Sequence, residues 1–346
     1  MSLSSRVDSL DIWGATASLP EQVAQAEIQA NALGGLPKRQ EVENIVVLGM
    51  GGSGIAGDVL IAAAAPFMPV PVTVVKSYNL PAFVSHGTLV FAISFSGDTE
   101  ETLEAAQLAH EQGAFIVAVT TGGELAKFAD DFAIPLLRVP MDIPQPRAAI
   151  GALSIPPLVV LEDIGLFPGA THWIDLATAQ LRRRRDQLLI EGNAIQRLAE
   201  ELTNKVPIMH SAGSIGFAAA QRWKTQINEN VKSPAFYSVY PENCHNEITG
   251  WESLTEVTGR DFAVVALRHD GEHPQVYRRL EIGRELIEKK VAVYREFRAE
   301  GDGDLAQLFD LIIAGDFLSL YLADLAGVDP GPVPILADLK QRLKPS

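Results

Sequence analysis

Cysteine is almost missing. Cys244 is the only one in 346 residues, which excludes an intrachain disulfide and any zinc site built from several thiolates, and fits a reducing cytosol. Basic charge is short as well: 28 Lys and Arg stand against 43 Asp and Glu, a net charge of −15. Such a balance disfavours non-specific binding to nucleic acid or to an anionic membrane surface, so an anionic ligand would have to be met by local dipoles. The opening Met1-Ser-Leu-Ser-Ser-Arg-Val-Asp8 has no apolar signal-peptide core, and no apolar run is expected to reach the length that spans a bilayer. What is plentiful is apolar surface. At 47% hydrophobic residues, the chain can bury a large core and is long enough for two domains of ordinary size.

Strand-like apolar runs recur at Asn44–Leu48, Val72–Val75, Leu89–Ile93, Phe115–Thr120 and Pro135–Val139, separated by helical or turn-rich sequence. A second alternating series follows at Val206–His210, Ala235–Tyr240, Phe262–Leu267 and Val291–Phe297. Strands that alternate with helices imply parallel sheets covered on both faces, with ligands at the carboxyl ends of the strands. Ile208–Ile215 echoes the strand, small-residue turn and helix start of Val46–Ile55, so the two halves read as a diverged duplication. The division falls near Phe167-Pro168-Gly169, giving domains 1–168 and 169–346, with residues 1–43 as a helical cover on the first sheet. Long helices are expected over Ala148–Gly165 and His172–Asn204. The run Arg182–Arg185 reads as a solvated helix face rather than a nucleic-acid site.

The chemistry concentrates in a few turns. Ser94-Phe-Ser96-Gly97-Asp98-Thr99 lies between a strand and an amphipathic helix, so hydroxyls, backbone N–H groups and a helix N-terminus converge on an anion site, most naturally for a phosphate. Helix capping explains one of these hydroxyls but not all three. Gly49-Met-Gly51-Gly52-Ser53-Gly54 follows another strand and fits the dinucleotide fingerprint G-x-G-x-x-G. The next strand, however, ends in Lys76-Ser77 where NAD binding calls for a carboxylate, leaving an NADP-dependent oxidoreductase as an alternative. At 100° per residue, Ala220, Trp223 and Ile227 form an apolar helix face opposite Arg222, Gln226 and Glu229. Glu229 alone reads as a solvated carboxylate. The run Pro241–Trp251, with Glu242, Asn243, His245, Asn246 and Glu247, is too rich in titratable and amide groups for core or linker. His269 and His273 have helical metal-ligand spacing, yet Gly271 and Pro274 make that stretch a turn, and no metal site is assigned. Cys244 and His245 are neighbours whose side chains diverge, so they form no dyad.

The two turns together resemble the sugar isomerase (SIS) domain, which holds phosphosugars with a Ser-x-Ser-Gly-x-Thr turn. Gly49-Met-Gly-Gly-Ser-Gly-Ile55, Pro146-Arg-Ala148, Asn228-Glu229, Glu242-Asn-x-His-Asn-Glu247 and Gly250-Trp251 are similar to the bifunctional phosphoglucose/phosphomannose isomerases over nearly the whole chain. That resemblance implies an α/β fold of two tandem SIS-type, flavodoxin-like domains, each a parallel sheet flanked by helices. It implies an aldose-ketose isomerase acting on hexose 6-phosphates without metal or organic cofactor. Gly52, Ser53, Ser94, Ser96 and Thr99 would hold the phosphate, Arg147 would lie against the reacting carbons, Glu229 would be the base and His245 would open the sugar ring. The family's C-terminal lysine best matches Lys340, which lies in the stripe Leu336, Leu339, Leu343. A cytoplasmic homodimer with sites shared between subunits is expected, and a noncatalytic phosphosugar-binding SIS protein is the nearest alternative. Asp98 departs from the family, whose members often carry Asn there.

Overall fold

The structure, a computed structural model, describes residues 7–343. The first six residues, and with them most of the opening segment read for a signal peptide, lie outside the described residues, as do the last three. Among the described residues, nine strands occupy the positions the apolar runs predict: β1 Asn44–Leu48, β2 Val72–Val75, β3 Thr88–Ile93, β4 Phe115–Thr120, β5 Leu136–Arg138, β6 Val206–Ala212, β7 Phe236–Tyr240, β8 Phe262–Arg268 and β9 Val293–Arg298. They form two sheets, ordered β2-β1-β3-β4-β5 and β7-β6-β8-β9. Every pairing is parallel. The second order repeats the first four strands of the first, which is the flavodoxin-like arrangement with its switch point between the first and third strand of each unit. Tight helix-to-sheet packing depends on small residues: a Cβ on Gly57 would meet Val74 at 2.7 Å and Val47 at 3.0 Å.

The N-terminal cover consists of helices Ile12–Ala17 and Leu19–Asn31. Pro20 starts the second of them rather than breaking it, because its ring suits the first helical turn, where no N–H partner exists. The expected helix over His172–Asn204 is two helices, Ala170–Leu188 and Ala194–Leu202. Gly192 takes φ 73°, and the Asn193 side chain then accepts from Ile195 and Gln196 N–H to start the second helix.

Three further expectations are corrected. Helix Asp304–Ala326 is, at 23 residues, long and apolar enough to cross a bilayer, contrary to the reading that no such run exists. Its qualifying window is entirely buried among the other helices of the protein, so its apolarity is that of a core element. It crosses the helix Gly213–Gln226 closely enough that a Cβ on Gly315 would sit 2.1 Å from Trp223, whose indole N–H donates to the Leu311 carbonyl at 2.7 Å. Within the Arg182–Arg185 run, Arg182 and Arg183 are solvated, but Arg184 is buried and grips both Asp310 oxygens at 2.8 and 2.9 Å. Arg222 and Gln226 are likewise buried, not on a solvated polar face. Helix Asp304–Ala326 covers that side too, and its Asp316 takes a two-pronged bond from Arg222, both prongs 2.9 Å.

Candidate functional site

At the switch point of the first sheet, the turns after β1 and β3 lead into helices Gly51–Ala63 and Glu100–Glu111. Their N-terminal N–H groups have no partners within the helix, which makes the cleft between them receptive to an anion. The two turns are bonded to each other: Ser53 Oγ accepts from Phe95 N–H at 3.2 Å. Ser94 is fully buried. Its hydroxyl donates to Thr99 Oγ1 at 2.9 Å and accepts from Gly97 N–H at 3.1 Å, so it shapes the turn from beneath. Ser96 is exposed at the rim, where its Oγ accepts from Asp98 N–H at 3.2 Å. Gly97 has φ 77°, and a Cβ there would meet the Gly122 carbonyl oxygen at 1.8 Å, so only glycine fits. Asp98 points away from this cleft, accepting from Glu124 N–H at 3.0 Å beside the start of helix Gly123–Asp131.

The cleft is walled by the segment after β5. A Cβ on Gly52 would lie 3.0 Å from the Pro146 carbonyl oxygen, and Arg147, 3% exposed, is the next residue. All donors of its guanidinium are engaged. Nε donates to Asn230 Oδ1 at 2.7 Å, and NH2 donates to the Pro330 and Gly331 carbonyls at 2.5 and 2.7 Å. NH1 makes only long contacts of 3.4 Å, to Gln145 Oε1 and to Glu229 Oε2. Burial pulls the Arg147 guanidinium below its ordinary range, against the opposing pull of Glu229.

Glu229 stands on a π-helical turn, Ile227–Val231, that extends helix Gly213–Gln226. Such turns are rare and favour functional positions because they change which side chains face outwards. Asn230, fully buried, bonds Arg147 with its oxygen and Ser319 Oγ with its nitrogen at 2.8 Å. Arg222 NH2 donates to the Arg147 carbonyl, so the pair Arg222–Asp316 holds the same segment from behind. Asn230 and Asp316 were not singled out in the sequence, and Arg222 was read only as part of a polar helix face. The Asn228-Glu229-Asn230 triplet was the available signal for the first of them.

The two bonded turns thus carry Gly52, Ser53, Ser94, Ser96 and Thr99, and Gly52 lies against the Pro146–Arg147 segment, whose guanidinium faces Glu229. His245 and Lys340 are not among them: both side chains are exposed, and neither bonds to the cleft among the described residues. His245 lies in the short helix Glu242–His245 after β7. Lys340 is on helix Pro334–Arg342, of which no residue is buried. In the second sheet, the equivalent turn at Gly213, φ 62°, faces His269, whose Nε2 lies 2.9 Å from the Ala212 carbonyl. His273 Nδ1 accepts from Gln275 N–H at 3.2 Å at the start of a helix. Lys76, at the end of β2, is paired with Asp58 at 2.6 Å.

Residues 40–141 match the SIS domain, and residues 191–343 match the bacterial phospho-glucose isomerase C-terminal SIS domain. The chain is 38% identical over 330 residues to the bifunctional phosphoglucose/phosphomannose isomerase of Caldicellulosiruptor bescii, covering 94% of this chain and 97% of that protein. The chain belongs to the bifunctional phosphoglucose/phosphomannose isomerase family. A member from Aquifex aeolicus is 33% identical over 307 residues, 87% of this chain and 91% of that one. A D-glucosamine-6-phosphate 4-epimerase of Sulfolobus acidocaldarius is 31% identical over 236 residues, 68% of this chain and 72% of that protein. The family's fold is matched by the crystal structure of a hypothetical protein of Thermus thermophilus, with a TM-score of 0.76 at 15% identity, covering 98% of this chain and 92% of that one.

Proposed function

We propose that the chain is an aldose-ketose isomerase that interconverts glucose 6-phosphate, mannose 6-phosphate or both with fructose 6-phosphate through a cis-enediol. The observation that carries this is the long, loose contact between Arg147 NH1 and Glu229 Oε2 at 3.4 Å, beside the hydroxyl-lined cleft. Every other arm of Arg147 is bonded tightly to the chain. Its NH1 end is therefore the one a substrate oxygen can displace. In this reading the phosphate is held by the N-termini of the two helices with Ser53, Ser96 and Thr99, while Ser94 keeps Thr99 and Gly97 in place. Glu229, 28% exposed, takes the proton from one carbon and returns it to its neighbour on the same face. Arg147 stabilises the negative charge that builds on the enediolate oxygen, a contribution of several kcal/mol in a closed site. His245 opens the ring, since an imidazole can both give and accept a proton near neutrality.

The same proposal includes a cytoplasmic homodimer in which His245 and Lys340 complete the neighbouring subunit's site, and a domain division near Phe167–Gly169. Helix Pro334–Arg342 supports the dimer: Ile335 and Leu339 are 76% and 54% exposed on a nine-residue helix, too short to be stable without a partner. The test is NMR in deuterated water with fructose 6-phosphate. Wild type is expected to place deuterium at C1 of the ketose or C2 of the aldose, and Glu229→Gln to bind the sugar but leave that hydrogen unexchanged. Exchange by Glu229→Gln at the wild-type rate would remove Glu229 as the base. Resolving the products also separates isomerisation from epimerisation at C4. For the shared site, inactive Glu229→Gln and His245→Ala chains are expected to regain partial activity when mixed.

A further inference from the structure

His210 is a polar residue where the fold calls for an apolar one. It sits on β6, flanked by β7 and β8 in the second sheet, and is 1% exposed. A buried imidazole is retained only if a partner compensates its desolvation. That partner is Glu247: His210 Nε2 and Glu247 Oε1 are 3.0 Å apart. The other ring nitrogen, Nδ1, is buried without a hydrogen-bond partner among the described residues. The contact has the geometry of an Nε2–H that donates to the carboxylate. The ring is wedged edge-on against Tyr240 at 5.8 Å and Trp251 at 6.4 Å.

Tyr240 and Trp251 flank the stretch Pro241–Gly250, and Glu247 lies within it, two residues after His245. Its Asn246 side chain accepts from Glu247 N–H at 2.7 Å and donates to Glu242 at 2.9 Å, so the stretch is tied to itself as well. Ser238 on β7 and Trp251 also help to hold the Glu247 carboxyl below its ordinary value. The bond that ties the loop to the second sheet runs through Glu247, while His245, two residues earlier, is exposed. We propose that the His210–Glu247 pair is a positioning clamp that fixes the backbone of the loop and so aims His245 at the sugar's ring oxygen.

This rests on the isomerase reading and on His245 as the ring-opening residue. The experiment compares two ketoses: fructose 6-phosphate, which is mostly ring-closed, and 5-deoxyfructose 6-phosphate, in which neither O5 nor O6 can close on C2. His210→Phe fills the aromatic niche but removes the donor. It is expected to lower kcat on fructose 6-phosphate by ~10- to 100-fold, the cost of misplacing a catalytic group by a fraction of an ångström to one ångström, with KM little changed. On the open-chain sugar its kcat should stay within about threefold of wild type, as should that of His245→Ala. Glu247→Gln keeps an acceptor for the Nε2 proton and is expected to retain most activity on both sugars, whereas Glu247→Ala should reproduce the selective loss. Glu247 is half-buried, so the alanine variant serves if the phenylalanine variant does not fold. Equal losses on both sugars, or no loss on either, would overturn the clamp. A wild type that converts neither sugar would remove the isomerase reading itself, and an unselective His245→Ala would remove the histidine's role; either takes the clamp with it.

Discussion

Replacing Arg147 by lysine keeps the positive charge and most of the stem but removes the planar fork. Arginine makes three short bonds here: to Asn230 Oδ1 at 2.7 Å, to the Pro330 carbonyl at 2.5 Å and to the Gly331 carbonyl at 2.7 Å. A single ammonium cannot reach acceptors spread around a guanidinium. Pro330 retains a second donor, Lys232 Nζ at 3.2 Å, which leaves Gly331 and Asn230 as the acceptors at risk. A buried acceptor without a partner costs about 1–3 kcal/mol, so with two of them at risk Arg147→Lys should destabilise the fold by about 2–6 kcal/mol. Urea unfolding at neutral pH measures this as a lower midpoint at unchanged slope. Activity should fall as well, because the enediolate loses a preorganised donor, an effect of about 10²–10³ in kcat. A loss under about 1 kcal/mol with kcat within threefold of wild type would refute the argument, since the fork would then hold neither the chain nor the substrate.

Ser94→Ala removes the bridge between Gly97 N–H and Thr99 Oγ1. It should raise KM for fructose 6-phosphate by about tenfold, one hydrogen bond's worth, and abolish most of the gain in melting temperature that fructose 6-phosphate gives over fructose. Asp98→Ala should cost about 1 kcal/mol of stability through the lost cap on Glu124 N–H while leaving KM within twofold; a tenfold fall in KM would show instead that this carboxylate opposes the phosphate. Burial pushes the Glu247 carboxyl up, and bonds from His210, Ser238 and Trp251 more than offset this, leaving it below its ordinary value of 4.5. A carboxyl lowered on folding stabilises the protein above its unfolded value and stops doing so as the pH falls through its folded value. The stability difference between wild type and Glu247→Gln should therefore be constant from neutrality down to about pH 5 and shrink below it; a difference that widens in acid would contradict this.

The strands were legible because parallel strands buried on both faces write themselves as short unbroken apolar runs, and Val46–Leu48 or Leu89–Ile93 admit no other element of that length. The phosphate cleft was legible for a similar reason, since its glycines and hydroxyls are local in the chain. Burial of charge was not. Arg184 and Arg222 looked solvated because their partners, Asp310 and Asp316, lie far along the chain on a helix whose own sequence is overwhelmingly apolar. Periodicity can say that a helix has two faces. It cannot say that a second helix will cover the polar one. The break at Gly192-Asn193 had a local signal, glycine followed by a capping residue, which the long helical pattern on either side obscured. Asp98 could be seen as a departure but not oriented, since its partner N–H belongs to the next strand-to-helix turn.

The π turn at Ile227–Val231 constrains the chain in a way that no single side chain does. It accommodates one residue more than an α-helical turn would, and that surplus lets Asn230 point into the protein while its neighbour Glu229 faces the cleft. Removing Ile227 or Asn228 would let the stretch rewind as ordinary helix and turn the side chains that follow within it by up to about 100°. Asn230 would leave Ser319, and the carboxylate would leave Arg147, although neither residue had been altered. Around this turn the spacing of the sequence is thus under tighter constraint than its composition: many of its letters can change, but their number cannot.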